Sequence, residues 1–114
     1  MPNNIQKILN NFLKEVTQIL GSRIKKIILY GSYARGDYNN SSDIDIMILT
    51  DLSDEEISKY SREIWEKCAD IEIDYGVVIS PLVRNIDEFN SWLDVKPFYI
   101  NIAKEGVVLV EEKN

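Results

Sequence analysis

Two apolar segments, Ile24–Tyr30 (IKKIILY) and Asp43–Thr50 (DIDIMILT), are joined by a stretch that opens on Gly31-Ser32 and closes on Asn39-Asn40-Ser41-Ser42. Both segments are rich in β-branched residues and read as strands, and the polar stretch between them reads as a turn and loop. Few folds tolerate this arrangement. A strand must stop at a glycine, and the next must begin with two carboxylates two residues apart. Side chains alternate across a strand, so Asp43 and Asp45 share a face, with Cα atoms about 6.5–7 Å apart. Met47 and Leu49 continue that face, while Ile44, Ile46 and Ile48 fill the other.

Two carboxylates on one side of an apolar strand repel each other and resist burial. A divalent cation removes both problems, and carboxylate oxygens suit Mg²⁺, which takes phosphate oxygens as further ligands. The phosphate side is supplied by Gly31-Ser32. A strand ending in Gly-Ser before a helical turn exposes backbone N–H groups, and glycine lets the backbone come close to a phosphate. The Ser32 hydroxyl adds a donor. Arg35, one helical turn on, could reach a phosphate, although an arginine so placed is more often a salt-bridge partner, here to Asp37. A third carboxylate is expected on a neighbouring strand. Asp74, within Ile71-Glu72-Ile73-Asp74-Tyr75, is the best candidate, and Glu72, on the same face of that strand, is the alternative. Three carboxylates can hold two ions about 3.5–4 Å apart, and Asp74 would then be placed to take the proton of an attacking group.

Composition narrows the chemistry. The 114 residues contain no histidine, which removes imidazole acid–base catalysis, Ser-His-Asp and Cys-His nucleophiles and histidine metal ligation. The single cysteine, Cys68, excludes an internal disulfide and a Cys-rich zinc site, and a reducing, cytoplasmic setting is the simplest reading. The net charge of −6 argues against a general electrostatic footprint on nucleic acid but suits docking on a basic protein. No apolar run approaches the length of a membrane span, and no signal-peptide pattern opens the chain. Three rival motifs fail. Gly31 to Gly36 has the spacing of a P-loop, but Asp37-Tyr38 stands where Lys-Ser/Thr is required. An EF-hand needs Asp or Asn where Met47 stands and Gly where Ile48 stands. No Gly-x-Gly-x-x-Gly is present.

The remaining segments complete one domain over residues 1–114, of mixed α/β (α+β) class. Ile5, Ile8, Leu9, Phe12, Leu13, Val16, Ile19 and Leu20 form a helical stripe over about 4–20. Ser53-Asp54-Glu55-Glu56 is a capping box, predicting a helix to about Ala69 with Ile57, Tyr60, Ile64, Trp65 and Cys68 facing the core. A third strand is predicted over Ile71–Ile79, broken by Pro81. Short helices are predicted over Asp87–Leu93 and from Pro97 to Glu105, and a last strand over Val107–Glu111. Phe89, Trp92, Phe98 and Tyr99 are read as core, with a partner-facing surface as the alternative. Helices should therefore pack against a short mixed sheet of about four strands.

The stretch Leu29–Ile48 resembles the nucleotidyltransferase superfamily that includes DNA polymerase β, whose signature is Gly-Ser, about ten residues, then Asp-x-Asp. It is most similar to the minimal nucleotidyltransferase (MNT) branch, in Gly31-Ser32-Tyr33-Ala34-Arg35-Gly36, in Ser42-Asp43-Ile44-Asp45, and in Pro97-Phe98-Tyr99 and Glu105-Gly106 near the end. The resemblance implies a nucleotidyltransferase fold. It implies that Asp43, Asp45 and Asp74 hold two Mg²⁺ ions, with Asp74 activating an acceptor hydroxyl, and that Gly31 and Ser32 grip the triphosphate of ATP. Larger members carry acceptor-binding domains, and this chain is expected to take its acceptor site from another protein. Free-standing MNT proteins pair with HEPN-domain ribonucleases as toxin–antitoxin systems, so the resemblance implies a hetero-oligomer in which AMP is transferred to a tyrosine of a HEPN toxin. Masking of a partner without catalysis, and transfer to a small molecule such as an aminoglycoside, are the alternatives.

Overall fold

The computed structural model describes residues 3–112. Five α-helices and four strands follow one another along it, with a 3-10 turn at Gly21–Arg23: α1 (Asn3–Leu20), β1 (Ile24–Tyr30), α2 (Ser32–Arg35), β2 (Ile44–Thr50), α3 (Asp54–Tyr75), β3 (Ile79–Asn85), α4 (Ile86–Ser91), α5 (Pro97–Glu105) and β4 (Val107–Glu111). The strands form one sheet in the order β3-β2-β1-β4. β1 runs antiparallel to both β2 and β4, and β2 runs parallel to β3, with α3 as the crossover. The mixed sheet expected from the sequence is therefore present.

The two faces of the sheet are covered differently. Ile27 and Leu29 of β1 and Ile44, Ile46 and Ile48 of β2 point to one face, where the apolar stripe of α1 and Ile64, Cys68 and Ile71 of α3 close over them. Phe12, at the centre of that stripe, is 1% exposed. The opposite face carries Ile28, Met47 and Leu49, packed under Phe89 of α4 and Tyr99 and Ile102 of α5. Phe89 and Tyr99 are thus core, as expected, whereas Phe98 is about half exposed.

The Ser53–Glu56 capping box forms in both directions and starts α3. Arg23 draws the same corner together by bridging Asp51 and Glu56. Pairing with Arg23, and then the Ser53 backbone N–H, hold the Glu56 carboxyl down at about 2.

The predicted strand over Ile71–Ile79 is not formed. α3 runs on through Tyr75 and ends at Gly76, which adopts a left-handed conformation (φ 66°) and donates its N–H to the Glu72 carbonyl. The alternation Ile71-x-Ile73 suggests a strand, but Ile64, Cys68, Ile71 and Tyr75 also recur at spacings of four, three and four. That helical stripe packs on the core, while Ile73 is 82% exposed. β3 therefore begins at Ile79 and includes Pro81 rather than ending before it. Pro81 is tolerated because β3 is an edge strand. Trp65, predicted to face the core, is 61% exposed and lies outside it.

The free rim of β3 is largely closed by side chains. Val78 directs its carbonyl at the Ile44 N–H of β2, so the backbone groups of Ile79, Pro81 and Val83 face outward. The Ile79 N–H donates to Glu72 Oε2 at 2.8 Å, and Pro81 has no N–H. The Pro81 carbonyl accepts from the Trp65 indole at 3.4 Å, and the Val83 carbonyl accepts from Arg84 Nη1 at 2.8 Å.

Candidate active site

The turn between β1 and α2 is built around Gly31, with φ 74° and ψ −154°, a conformation that strongly favours glycine. Its carbonyl accepts from the N–H groups of Ala34 and Arg35, both at 3.1 Å, and so begins α2. The N–H groups of Ser32 and Tyr33, in the first turn of α2, have no intrahelical acceptor and face away from it. A second constraint comes from across the sheet. A Cβ placed on Gly31 would collide with Asp45 Oδ2, so any other residue here would be strained in its backbone and would push the carboxylate aside.

β2 supplies the carboxylates. Tyr30 is the register partner of Asp45, which brings the carboxylate to the end of β1 where the Gly31 turn begins. Asp43 lies just before β2 and is exposed, while Asp45 is partly buried. Burial raises the Asp45 carboxyl above the ordinary range, and the neighbouring Asp43 charge raises it further, with Arg35 opposing. Tyr30 is pushed up to about 12, first by burial and then by Asp45. Ser80 of β3 is the register partner of Asp45 on the other side and donates from its hydroxyl to Asp43 Oδ2 at 3.3 Å.

Asp45 and Tyr30 open into a cleft of about 350 Å³, where Gly31, Ser32, Arg35 and Asp45 face Phe98, Asn101 and Glu105 of α5, and Asp43 stands outside its lining, beside Asp45. Phe98 packs edge-on against Tyr30, with ring centroids 5.8 Å apart. Arg35 pairs with Asp37 at 3.3 Å, as one of the two sequence readings had it, and also reaches Glu105 at 3.4 Å across the cleft. The structure thus brings together Gly31, Ser32, Arg35, Asp43 and Asp45.

Asp74 is not part of this group. It lies on α3, beside Asn11 and Glu15 of α1 and Lys67 and Asp70 of its own helix. Its expected place rested on the strand that α3 replaces. Glu72, the alternative, is committed to the Ile79 N–H. The β3 residues that share the face of Asp43 and Asp45 are Ser80, Leu82 and Arg84, none of them a carboxylate. Among the described residues, no group of three or more His, Cys, Asp and Glu side chains is arranged to hold a metal ion. The pair that remains still fits one divalent cation, because both oxygen donors lie on one face and the proximity of Asp43 disfavours the charged form of Asp45.

Sequence reasoning missed Ser80, Tyr30 and the α5 residues. The α5 contribution left one trace, since Phe98, Asn101 and Glu105 recur at spacings of three and four with polar residues on an otherwise apolar helix. Ser80 left none, because its place depends on the β2–β3 register.

Residues 9–110 match the family described as the nucleotidyltransferase domain. A Methanocaldococcus jannaschii protein named "Putative protein adenylyltransferase MJ0604" is 38% identical over 106 residues, spanning 93% of this chain and 98% of that protein. Among solved structures, a tri-AMPylated Shewanella oneidensis HEPN toxin in complex with its MNT antitoxin superposes with a TM-score of 0.53 at 17% identity, over 94% of this chain and 72% of the other. A toxin–antitoxin structure with AMP-PNP gives a TM-score of 0.54 at 18% identity, over 90% and 73%. At these identities the structural likeness is one of fold.

Proposed function

The chain belongs to the nucleotidyltransferase domain family, and from that premise we propose that it transfers AMP from ATP to a protein hydroxyl, a tyrosine of a HEPN-domain toxin, as the antitoxin of such a pair. The observation that carries this reading is the meeting of Asp45 with the Gly31-Ser32 turn in an open cleft at one end of the sheet, with the exposed Asp43 carboxylate close beside Asp45. The relative at 38% identity is named for protein adenylyl transfer, and a neighbour of the same fold is an antitoxin bound to an AMPylated HEPN toxin.

The backbone N–H groups of the Gly31 turn and the Ser32 hydroxyl hold the triphosphate, and Arg35 exchanges its exposed carboxylate partners for phosphate oxygens. Asp43 and Asp45 hold Mg²⁺, which when bound neutralises charge on the triphosphate. Phe98 and Asn101 line the far side of the cleft, where the nucleoside lies. The acceptor oxygen bonds to the α-phosphorus in line, the bond to pyrophosphate breaks, and the hydroxyl proton leaves to solvent at the open mouth. The exposed position of Asp43 keeps that side free for a protein acceptor.

The test is mass spectrometry of a HEPN protein incubated with this chain, ATP and Mg²⁺. An AMP adduct on tyrosine is expected, reduced at least about 100-fold by Asp43→Ala/Asp45→Ala. An adduct that survives the double substitution overturns the assignment of the carboxylates. A second reading, neutralisation by masking alone, is favoured by one observation: no carboxylate of β3 joins Asp43 and Asp45. It predicts that the double variant still neutralises the toxin in cells at equal abundance.

A further inference from the structure

A centre that holds two cations needs a carboxylate on each side of the shared ligand pair, and here the position on β3 beside Asp45 is Ser80. A neutral hydroxyl is a poor substitute for a carboxylate as a Mg²⁺ ligand, and in this structure it is already engaged. Its oxygen lies 3.3 Å from Asp43 Oδ2, to which the hydroxyl donates. Leu82, the next residue of β3 on that face, is apolar, and Arg84 beyond it is cationic. Glu72 is spent on the Ile79 N–H, and Asp74 lies with α1 and Lys67. We propose that this site takes a single divalent cation, bound between the Asp43–Asp45 pair and the triphosphate, and that Ser80 is a positioning residue that fixes the Asp43 carboxylate for it.

The proposal rests on the reading of the cleft as a nucleotide site, and it assigns the chain no acceptor-side cation. The acceptor oxygen therefore arrives without a metal contact. In the transfer step it forms its bond to the α-phosphorus while the bond to pyrophosphate breaks, and its proton passes to water. Ser80 does not touch the reacting atoms. It removes one rotational freedom from Asp43, the more exposed and less constrained of the two ligands.

The experiment counts bound metal rather than turnover. The full chain is saturated with α,β-methylene-ATP, which cannot release pyrophosphate, and titrated with Mn²⁺ while free Mn²⁺ is followed by electron paramagnetic resonance. One Mn²⁺ per chain is expected, with affinity falling at least about tenfold in Asp43→Asn/Asp45→Asn. Ser80→Ala should leave the count at one and weaken Mn²⁺ about tenfold. Ser80→Asp, checked for an unchanged circular dichroism spectrum, should raise the count to two. Two ions in the native chain, or one whose affinity ignores the Asp43/Asp45 substitutions, overturns the single-cation site. An unchanged Mn²⁺ affinity in Ser80→Ala overturns the positioning role. If the analogue itself does not bind, the nucleotide-site reading fails instead, and the two failures are told apart by measuring analogue binding first.

Discussion

The two faces of the sheet divide the work of the molecule. On one face Ile27, Leu29, Ile44, Ile46 and Ile48 lie under two long helices with essentially no exposure. On the other, the shorter α4 and α5 cover Ile28, Met47 and Leu49 with Tyr30 and Leu82 partly buried beside them, and the end carrying Asp43, Asp45 and Ser80 stays open. The same strand supplies both. Along β2 the even-numbered residues hold the fold together and the odd-numbered ones, at their start, hold charge. A change on the closed face should act through stability, and a change at the open end through chemistry.

The largest expected effect on this division comes from Phe12→Ala on α1, which should cost about 3–5 kcal/mol in chemical denaturation and leave the metal and nucleotide affinity of the surviving folded fraction intact. Phe98→Ala on α5 is the counterpart. It should cost less than about 1 kcal/mol, because the ring is half exposed, yet weaken ATP binding in calorimetry. If Phe98→Ala destabilises as much as Phe12→Ala, the division between the faces is wrong. Gly31→Ala should be intermediate, costing about 1–3 kcal/mol through its backbone angles while it displaces the Asp45 carboxylate and suppresses AMP transfer.

A smaller effect separates the two faces by sign. The Asp45 carboxyl is raised by burial and by Asp43, so the folded state binds its proton more tightly than the unfolded chain does, and stability falls as pH rises through that raised value. Asp45→Asn, without metal or nucleotide, should therefore melt at a higher temperature than the native chain at neutral pH, and the gain should vanish in acid. Glu56, at the closed corner beside Arg23, behaves oppositely. Its carboxyl lies at about 2 against an ordinary 4.5, so its contribution is complete above about 4.5 and is lost as pH falls toward 2. Glu56→Gln should flatten that part of the acid-unfolding curve. A native-like acid limb in Glu56→Gln would break the assignment.

The closed face was almost entirely legible from the sequence, because the stripe of α1 and the alternation of β2 are local periodicities. So was the meeting of Gly31 with Asp45 in the candidate site, since their spacing spans a single turn and loop. What escaped depends on contacts between distant segments. Ile71-Glu72-Ile73-Asp74-Tyr75 satisfies both the strand and the helix period, and only packing of Ile71 with Ile64 and Cys68 decides between them. Once α3 takes that segment, the supposed third carboxylate leaves the site with it. Ser80 is unremarkable in the sequence and acquires a role only through a register set elsewhere.

An open sheet polymerises when each copy can offer one rim and accept on the other. Here Glu72, Trp65, Arg84 and the proline ring occupy most of the outward bonding positions of β3, leaving the Ile79 carbonyl and the Val83 N–H. A neighbour arriving with its β4 rim finds few free partners there, so each link of a head-to-tail chain is weakened. Pairing of β4 with β4 would still close after two copies. Plugging one rim thus works against fibre growth while leaving the other rim free to vary.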